Sequence, residues 1–242
     1  MSIRGYYSSF ESFGSVDGPG VRSILFLSGC PFRCLYCHNP ETWNLSSGTE
    51  ISPEEAFKKL YRYKPYWGKD GGITISGGEP LVQLDFLIEL GKIAKANGVS
   101  YVIDTAGGTF KEEDRYLEKL DELLEVSSLF LVDIKSADPL LHKKITGHEL
   151  KIVEGFFNYL DKKNFPIWVR HVLVPWLTAS KEQLTKTKDF LNRYHNIKKI
   201  EVLPYHNLAI SKYQKLKIPY PLKETPLPTN EEIKMAKEIL ES

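Results

Sequence analysis

The chain has 242 residues, 32 Lys and Arg against 31 Asp and Glu, a net charge of +1 and an apolar fraction of 42%. Such a balance excludes a strongly basic chain and gives no sign of an electrostatic footprint for nucleic acid or anionic membrane. The opening MSIRGYYSSFES lacks the apolar stretch of a secretory signal, and no apolar run reaches the length of a membrane span. The expectation is a single cytoplasmic α/β domain over residues 1–242, monomeric, with no membrane or nucleic-acid partner.

Apolar, β-branched runs suited to buried parallel strands recur along the chain. The first, Val21–Gly29, leads into SGCPFRCLYCHN, which holds every cysteine of the protein: Cys30, Cys34 and Cys37, with His38 directly after. Ser52-Pro53-Glu54-Glu55 then supplies a helix cap, a proline at the first helical position and a capping-box glutamate. The second strand, Gly72–Ser76, runs into SGGEP, where Gly77 and Gly78 let a ligand approach the backbone and Glu79 follows. The helix after Pro80 is expected to stop at Gly98. The third strand, Ser100–Thr105, ends on Asp104 and Thr105. The fourth, Leu129–Lys135, ends with Asp133 and Lys135 on one face, flanking Ile134. Arg170 lies in the fifth strand, Ile167–Val174, and Ser180 and Thr229 each begin a capping-box pattern. The sixth strand, Ile200–Tyr205, runs out at His206. Strands alternating with helices give an α/β architecture, taken here as a partial, open parallel β/α barrel of about six strands, with a doubly wound sheet as the alternative. In either, functional groups gather at the C-terminal strand ends.

Each polar residue at those ends has an ordinary explanation when taken alone: a turn, a helix cap, an ion pair. The cysteines do not. Three thiols within eight positions cannot all pair, and the chain offers no fourth. Zinc on Cys30, Cys34, Cys37 and His38 would require consecutive residues to serve one ion, which is strained. A 4Fe–4S cluster on three thiolates leaves one iron open to a small molecule, and C-x₃-C-x₂-C on a loop suits it.

CPFRCLYCHN, with Tyr36 before the last cysteine, resembles the cysteine motif of the radical S-adenosylmethionine (SAM) enzymes. VDGPGVR (Val16–Arg22), YCHNPETW (Tyr36–Trp43), SGGEP, DTAG, DIK and LPYH together resemble the activating enzymes of glycyl radical enzymes, from Phe10 to His206. The absence of cysteines from an inserted ferredoxin-like segment favours the branch acting on pyruvate formate-lyase. The resemblance implies reductive cleavage of SAM at the cluster and removal of a hydrogen from a glycine of that protein substrate, with a flavodoxin-like electron donor. It places Tyr36, Cys37, His38, Gly77, Gly78, Glu79, Asp133, Ile134, Lys135, Arg170 and His206 around SAM. It also places a monovalent cation, Na⁺ or K⁺, on Asp104, Thr105 and Asp133. Asp17 and Arg22 are expected to grip the incoming backbone. A small-molecule radical SAM enzyme, with a pocket in place of a groove, and a zinc-stabilised binding module are the alternatives.

Overall fold

The computed structural model describes residues 3–242. The protein is an α/β fold on a mostly parallel sheet that does not close. Its chain forms two compact units, one through Pro31 with Glu41–Leu131, the other Phe32–Pro40 with Val132–Ser242.

The first unit contains β1 (Gly5–Gly14), β2 (Arg22–Leu27), β3 (Thr49–Ile51), α1 (Pro53–Tyr61), β4 (Gly72–Gly77), α2 (Leu84–Ala96), β5 (Ser100–Thr105) and α3 (Asp114–Val126). Its strand order is β3-β1-β2-β4-β5. β2, β4 and β5 are parallel, with Arg22 beside Gly72 and Gly72 beside Ser100, so their C-terminal ends come out level. Ile24, Leu25, Ile73, Ile75, Val102 and Ile103 are fully or almost fully buried, as expected for strands covered on both faces. α1 starts as its sequence dictates: Ser52 Oγ accepts from Glu55 N, and the Glu55 carboxylate accepts from Ser52 N. It then buries Ala56, Phe57 and Leu60. α2 gives way at Asn97, and Gly98 follows at φ +64°.

β6 (Leu129–Asp133) begins in the first unit and ends in the second. The second unit continues with α4 (Pro139–Thr146), α5 (Leu150–Lys162), β7 (Ile167–Leu173), α6 (Lys181–Leu191), β8 (Ile197–Pro204), α7 (Ile210–Leu216) and α8 (Asn230–Leu240). β7 and β8 are parallel. Leu173, Ala179, Leu184, Val202, Ala236 and Leu240 form one core cluster; Tyr36, Ile145, Val174, Tyr205 and Leu222 form another. Thr229 completes its capping box with Glu232. At Ser180 only half forms: its side chain accepts from Gln183 N, and the buried Gln183 Oε1 has no hydrogen-bond partner.

All six anticipated strands are present, as β2 and β4–β8. The antiparallel strands β1 and β3 were not anticipated. β1, GYYSSFESFG, is mostly half-exposed and polar, so it lacks the apolar run that marks a doubly buried strand.

Among the described residues no helix is long and apolar enough to cross a membrane.

Candidate functional site

In the first unit, the end of β4 is built to lie against the approach to Cys30. Gly77 has φ +122°, and a Cβ there would sit 2.3 Å from the Leu27 backbone. A Cβ on Gly78 would meet Gly29 O at 2.5 Å and the Cys30 Cβ at 3.1 Å. Both positions therefore demand glycine. Glu79 follows, 2% exposed. Its Oε1 accepts from the Thr105 hydroxyl and from Leu81 N (3.2 Å); its Oε2 accepts from Ala106 N (3.1 Å) and Gly108 N (3.2 Å). Burial pushes the Glu79 carboxyl above its usual range, and these four donors pull the other way. Every partner donates, so the arrangement fits an ionised carboxylate with no proton of its own to place. Thr105 Oγ1 accepts in turn from Gly107 N at 2.9 Å. Asp104 Oδ2 accepts from Ser76 Oγ at 2.6 Å, across the pair that the β4–β5 register sets side by side.

Arg22 does not sit where a partner could be gripped. It opens β2 at the N-terminal end of the strands and is fully buried. Its guanidinium donates to Thr74 Oγ1 (2.6 Å), Ile73 O (2.7 Å), Pro19 O (3.0 Å) and Ser100 O (3.0 Å). Burial lowers its pKa to about 10, with the Asp17 carboxylate opposing. The Asp17 carbonyl accepts from Thr74 Oγ1 at 2.7 Å. Arg22 is a strut across three strands, because a charge this deep needs every donor satisfied.

In the second unit, Phe32–Pro40 carries Cys34, Tyr36, Cys37 and His38. Arg33 N and Leu35 N each donate over 3.0 Å to the last carbonyls of α4, Thr146 O and Ile145 O. Cys37 N donates to Cys34 O, closing a turn over the C-x₂-C pair. Burial pushes the Cys34 thiol up to about 12, with the Lys135 ammonium opposing. The buried Tyr36 ring lies 5.7 Å from Lys135 Nζ. Asp133 binds Lys135 Nζ through Oδ2 (2.7 Å) and Arg170 Nε through Oδ1 (3.4 Å). Burial works against both charges of the Asp133–Lys135 pair. Even so, Lys135 and Arg170 hold the carboxyl below its usual range, and Asp133 holds Lys135 above its own. Ile134 is fixed by its backbone, with N donating to Arg170 O (3.0 Å) and O accepting from His171 Nδ1 (2.8 Å). The His38 and His206 rings stack at 4.0 Å and 15°, and His38 Nε2 donates to His206 O at 3.2 Å. Burial, then His206, lowers the His38 pKa to about 4, so the pair is neutral at His38 near pH 7.

A sequence model of the radical SAM superfamily matches residues 24–191. The chain belongs to the radical SAM superfamily. It is similar to the pyruvate formate-lyase-activating enzyme of Listeria monocytogenes, 44% identical over 241 residues, 99% of this chain and 97% of that one. It is likewise similar to the enzyme of that name from Streptococcus mutans, 43% identical over 240 residues, 98% and 91% of the two chains. Among solved structures, a domain of pyruvate-formate lyase-activating enzyme from Bacteroides vulgatus shares the fold, with a TM-score of 0.57 and 24% identity over 70% of this chain and 92% of that one.

The chemistry of this radical SAM chain's donors fits the iron–sulfur cluster and SAM that the superfamily implies. Its three thiols lie in one short segment, Gly77 and Gly78 leave the backbone beside Cys30 bare, and none of the three cysteines is in a disulfide. Among the described residues no group of three or more His, Cys, Asp or Glu side chains is gathered for a single metal ion. Sequence reasoning missed Ser76 and Gln83. Gln83 bonds Tyr6 and Ser28. A glutamine inside an apolar helical turn carries no motif; only the counting of backbone partners reveals it.

Proposed function

We propose that this protein is a radical SAM activase that generates the glycyl radical of pyruvate formate-lyase. The observation that carries the reading is 44% identity with a pyruvate formate-lyase-activating enzyme over 99% of the chain. In this reading residues 1–242 work as one radical SAM domain, monomeric and cytoplasmic, supplied with electrons by a flavodoxin-like protein. Cys30, Cys34 and Cys37 would hold a 4Fe–4S cluster. When bound, that cluster would supply the single electron for reductive cleavage of SAM, the chemistry that lets a hydrogen be taken from a glycine of the partner.

The chain's own residues bind, orient and keep water out. Gly77 and Gly78 present backbone to the methionine amine, where a side chain would intrude. Arg170 and Lys135 offer donors to carboxylate and ribose oxygens, and Asp133 accepts from ribose hydroxyls. Tyr36 and the stacked His38–His206 pair supply flat faces for the adenine, and the neutral His38 puts no charge against it. The resemblance assigns a monovalent cation, Na⁺ or K⁺, to Asp104, Thr105 and Asp133, each of which carries a side-chain oxygen acceptor.

The test is anaerobic incubation with SAM, a one-electron reductant and pyruvate formate-lyase, read by electron paramagnetic resonance. The expected outcome is 5′-deoxyadenosine together with a doublet signal that collapses when the partner's glycine is deuterated. Formation of 5′-deoxyadenosine with no radical on pyruvate formate-lyase would overturn the assignment.

A further inference from the structure

We propose that Gln83 is a positioning residue for Cys30, a role that rests on the reading of Cys30 as a cluster ligand. Cys30 is reached through Ser28 and Gly29, and every backbone group of this approach has a partner within the first unit. Ser28 N donates to Tyr6 O (2.9 Å), Gly29 N to Thr42 O (2.7 Å) and Cys30 N to Trp43 O (3.1 Å). Leu27 O accepts from Gly78 N (2.9 Å) and Gly29 O from Glu79 N (2.8 Å). The remaining carbonyl, Ser28 O, accepts from Gln83 Nε2 at 2.9 Å. Of these partners, Gln83 alone acts through a side chain.

That side chain is itself fixed. Gln83 Oε1 accepts from Tyr6 N at 2.7 Å and Nε2 donates to Tyr6 O at 2.8 Å, so the amide pairs with Tyr6 as a neighbouring strand residue would. The orientation is determined by the partners, since Tyr6 N needs an acceptor and Ser28 O needs a donor. One amide therefore ties β1 to the residue two before Cys30. Ser28 is fully buried, so its carbonyl loses this donor at a cost if the amide is removed. Gln83 also ends the short helical turn that begins with Pro80, after Glu79, so the segment that presents Gly78 and Glu79 is pinned at both ends.

The test compares Gln83→Glu and Gln83→Met with Leu60→Ala, which opens a cavity under α1 in the same unit. Gln83→Glu keeps the acceptor for Tyr6 N but turns an oxygen toward two carbonyls; Gln83→Met keeps bulk and loses all three bonds. In anaerobically prepared protein, both Gln83 variants are expected to shift the resonance line shape of the reduced cluster. They should also speed iron release to a chelator by about tenfold, the scale of one unsatisfied buried carbonyl. Leu60→Ala should lower the melting temperature and leave the line shape in place. Hydrogen exchange at Ser28–Cys30 is expected to quicken in the Gln83 variants whether or not the protein holds iron, so a failure of the cluster reading is separable from a failure of this one. An unchanged exchange rate at Ser28–Cys30, or a line shape and iron-release rate that track melting temperature alone as in Leu60→Ala, overturns the proposal.

Discussion

The two units hold their polar groups by different physics. In the first, the groups are held by backbone: Gly77 and Gly78 pack against Leu27 and Gly29, and Glu79 is gripped by three amides and a hydroxyl. In the second, they are held by charge, with Asp133 bound between Lys135 and Arg170. An amide cradle is set by geometry and tolerates no isostere that changes donor count. An ion network keeps its charges ready for exchange with an incoming ligand, because each partner can trade a protein contact for a ligand contact. The first arrangement suits a fixed frame, the second suits recognition.

Alanine at Cys30, Cys34 or Cys37 has the largest expected effect: loss of cluster iron and of all SAM cleavage, with the circular dichroism of the scaffold unchanged. An equal loss across the two units would show that neither arrangement compensates for a missing thiol. Glu79→Gln probes the frame. The amide can accept on one oxygen, and its NH₂ would face Ala106 N and Gly108 N or the pair on the other side. A loss of about 3 kcal/mol in denaturant unfolding is expected, the scale of charged hydrogen bonds left unmade. A neutral outcome would erase the contrast between the units. Asp133→Ala and Arg170→Ala probe recognition: SAM affinity, measured by calorimetry, should fall about tenfold, since a charged contact is worth roughly 1.5–3 kcal/mol and some of it is recovered by solvent.

The smallest effect concerns His142, buried in α4 with Nδ1 donating to Ser136 O at 3.2 Å and Nε2 without a partner. Burial, with contributions from Lys135 and His148, lowers its pKa to about 4, against which the Ser136 carbonyl and Glu149 act. The unfolded chain takes up a proton near pH 6.5 that the folded chain refuses until about pH 4. The contribution of His142 to stability is therefore complete above pH 6.5 and lost as pH falls toward 4. His142→Phe should flatten the pH dependence of the urea midpoint between pH 6.5 and 5 by up to one proton's slope; an unchanged slope would show that His142 charges freely.

How much of this could be read beforehand differs between elements for physical reasons. The parallel strands announce themselves because burial on both faces leaves uninterrupted apolar runs, as in Leu129–Asp133. Asp133 and Lys135 meet because strand side chains alternate, which two letters of sequence suffice to state. β1 escaped notice, since its one-sided exposure permits Ser8, Ser9, Glu11 and Ser12. Arg22 was misplaced for a related reason: VDGPGVR shows a cation beside turn residues, and nothing local says that its partners wait at Thr74 and Ser100. Gln83 was invisible, its bonds reaching back 55 and 77 positions.

Arg22 also bears on the order in which the molecule assembles. Its acceptors Pro19, Ile73 and Ser100 enter the growing chain far apart, so a nascent polypeptide that ends before residue 100 cannot provide the seat its guanidinium occupies. Until β5 has been made and docked, the Nη2 donor that Ser100 O receives has only water for a partner. The strut thus ties this part of the interior to a residue 78 positions downstream, a contact that can form only late in the chain's assembly. Arg22→Met should let a fragment ending before Ser100 collapse prematurely, which pulsed hydrogen exchange on stalled chains would register as early protection of Ser23–Leu27.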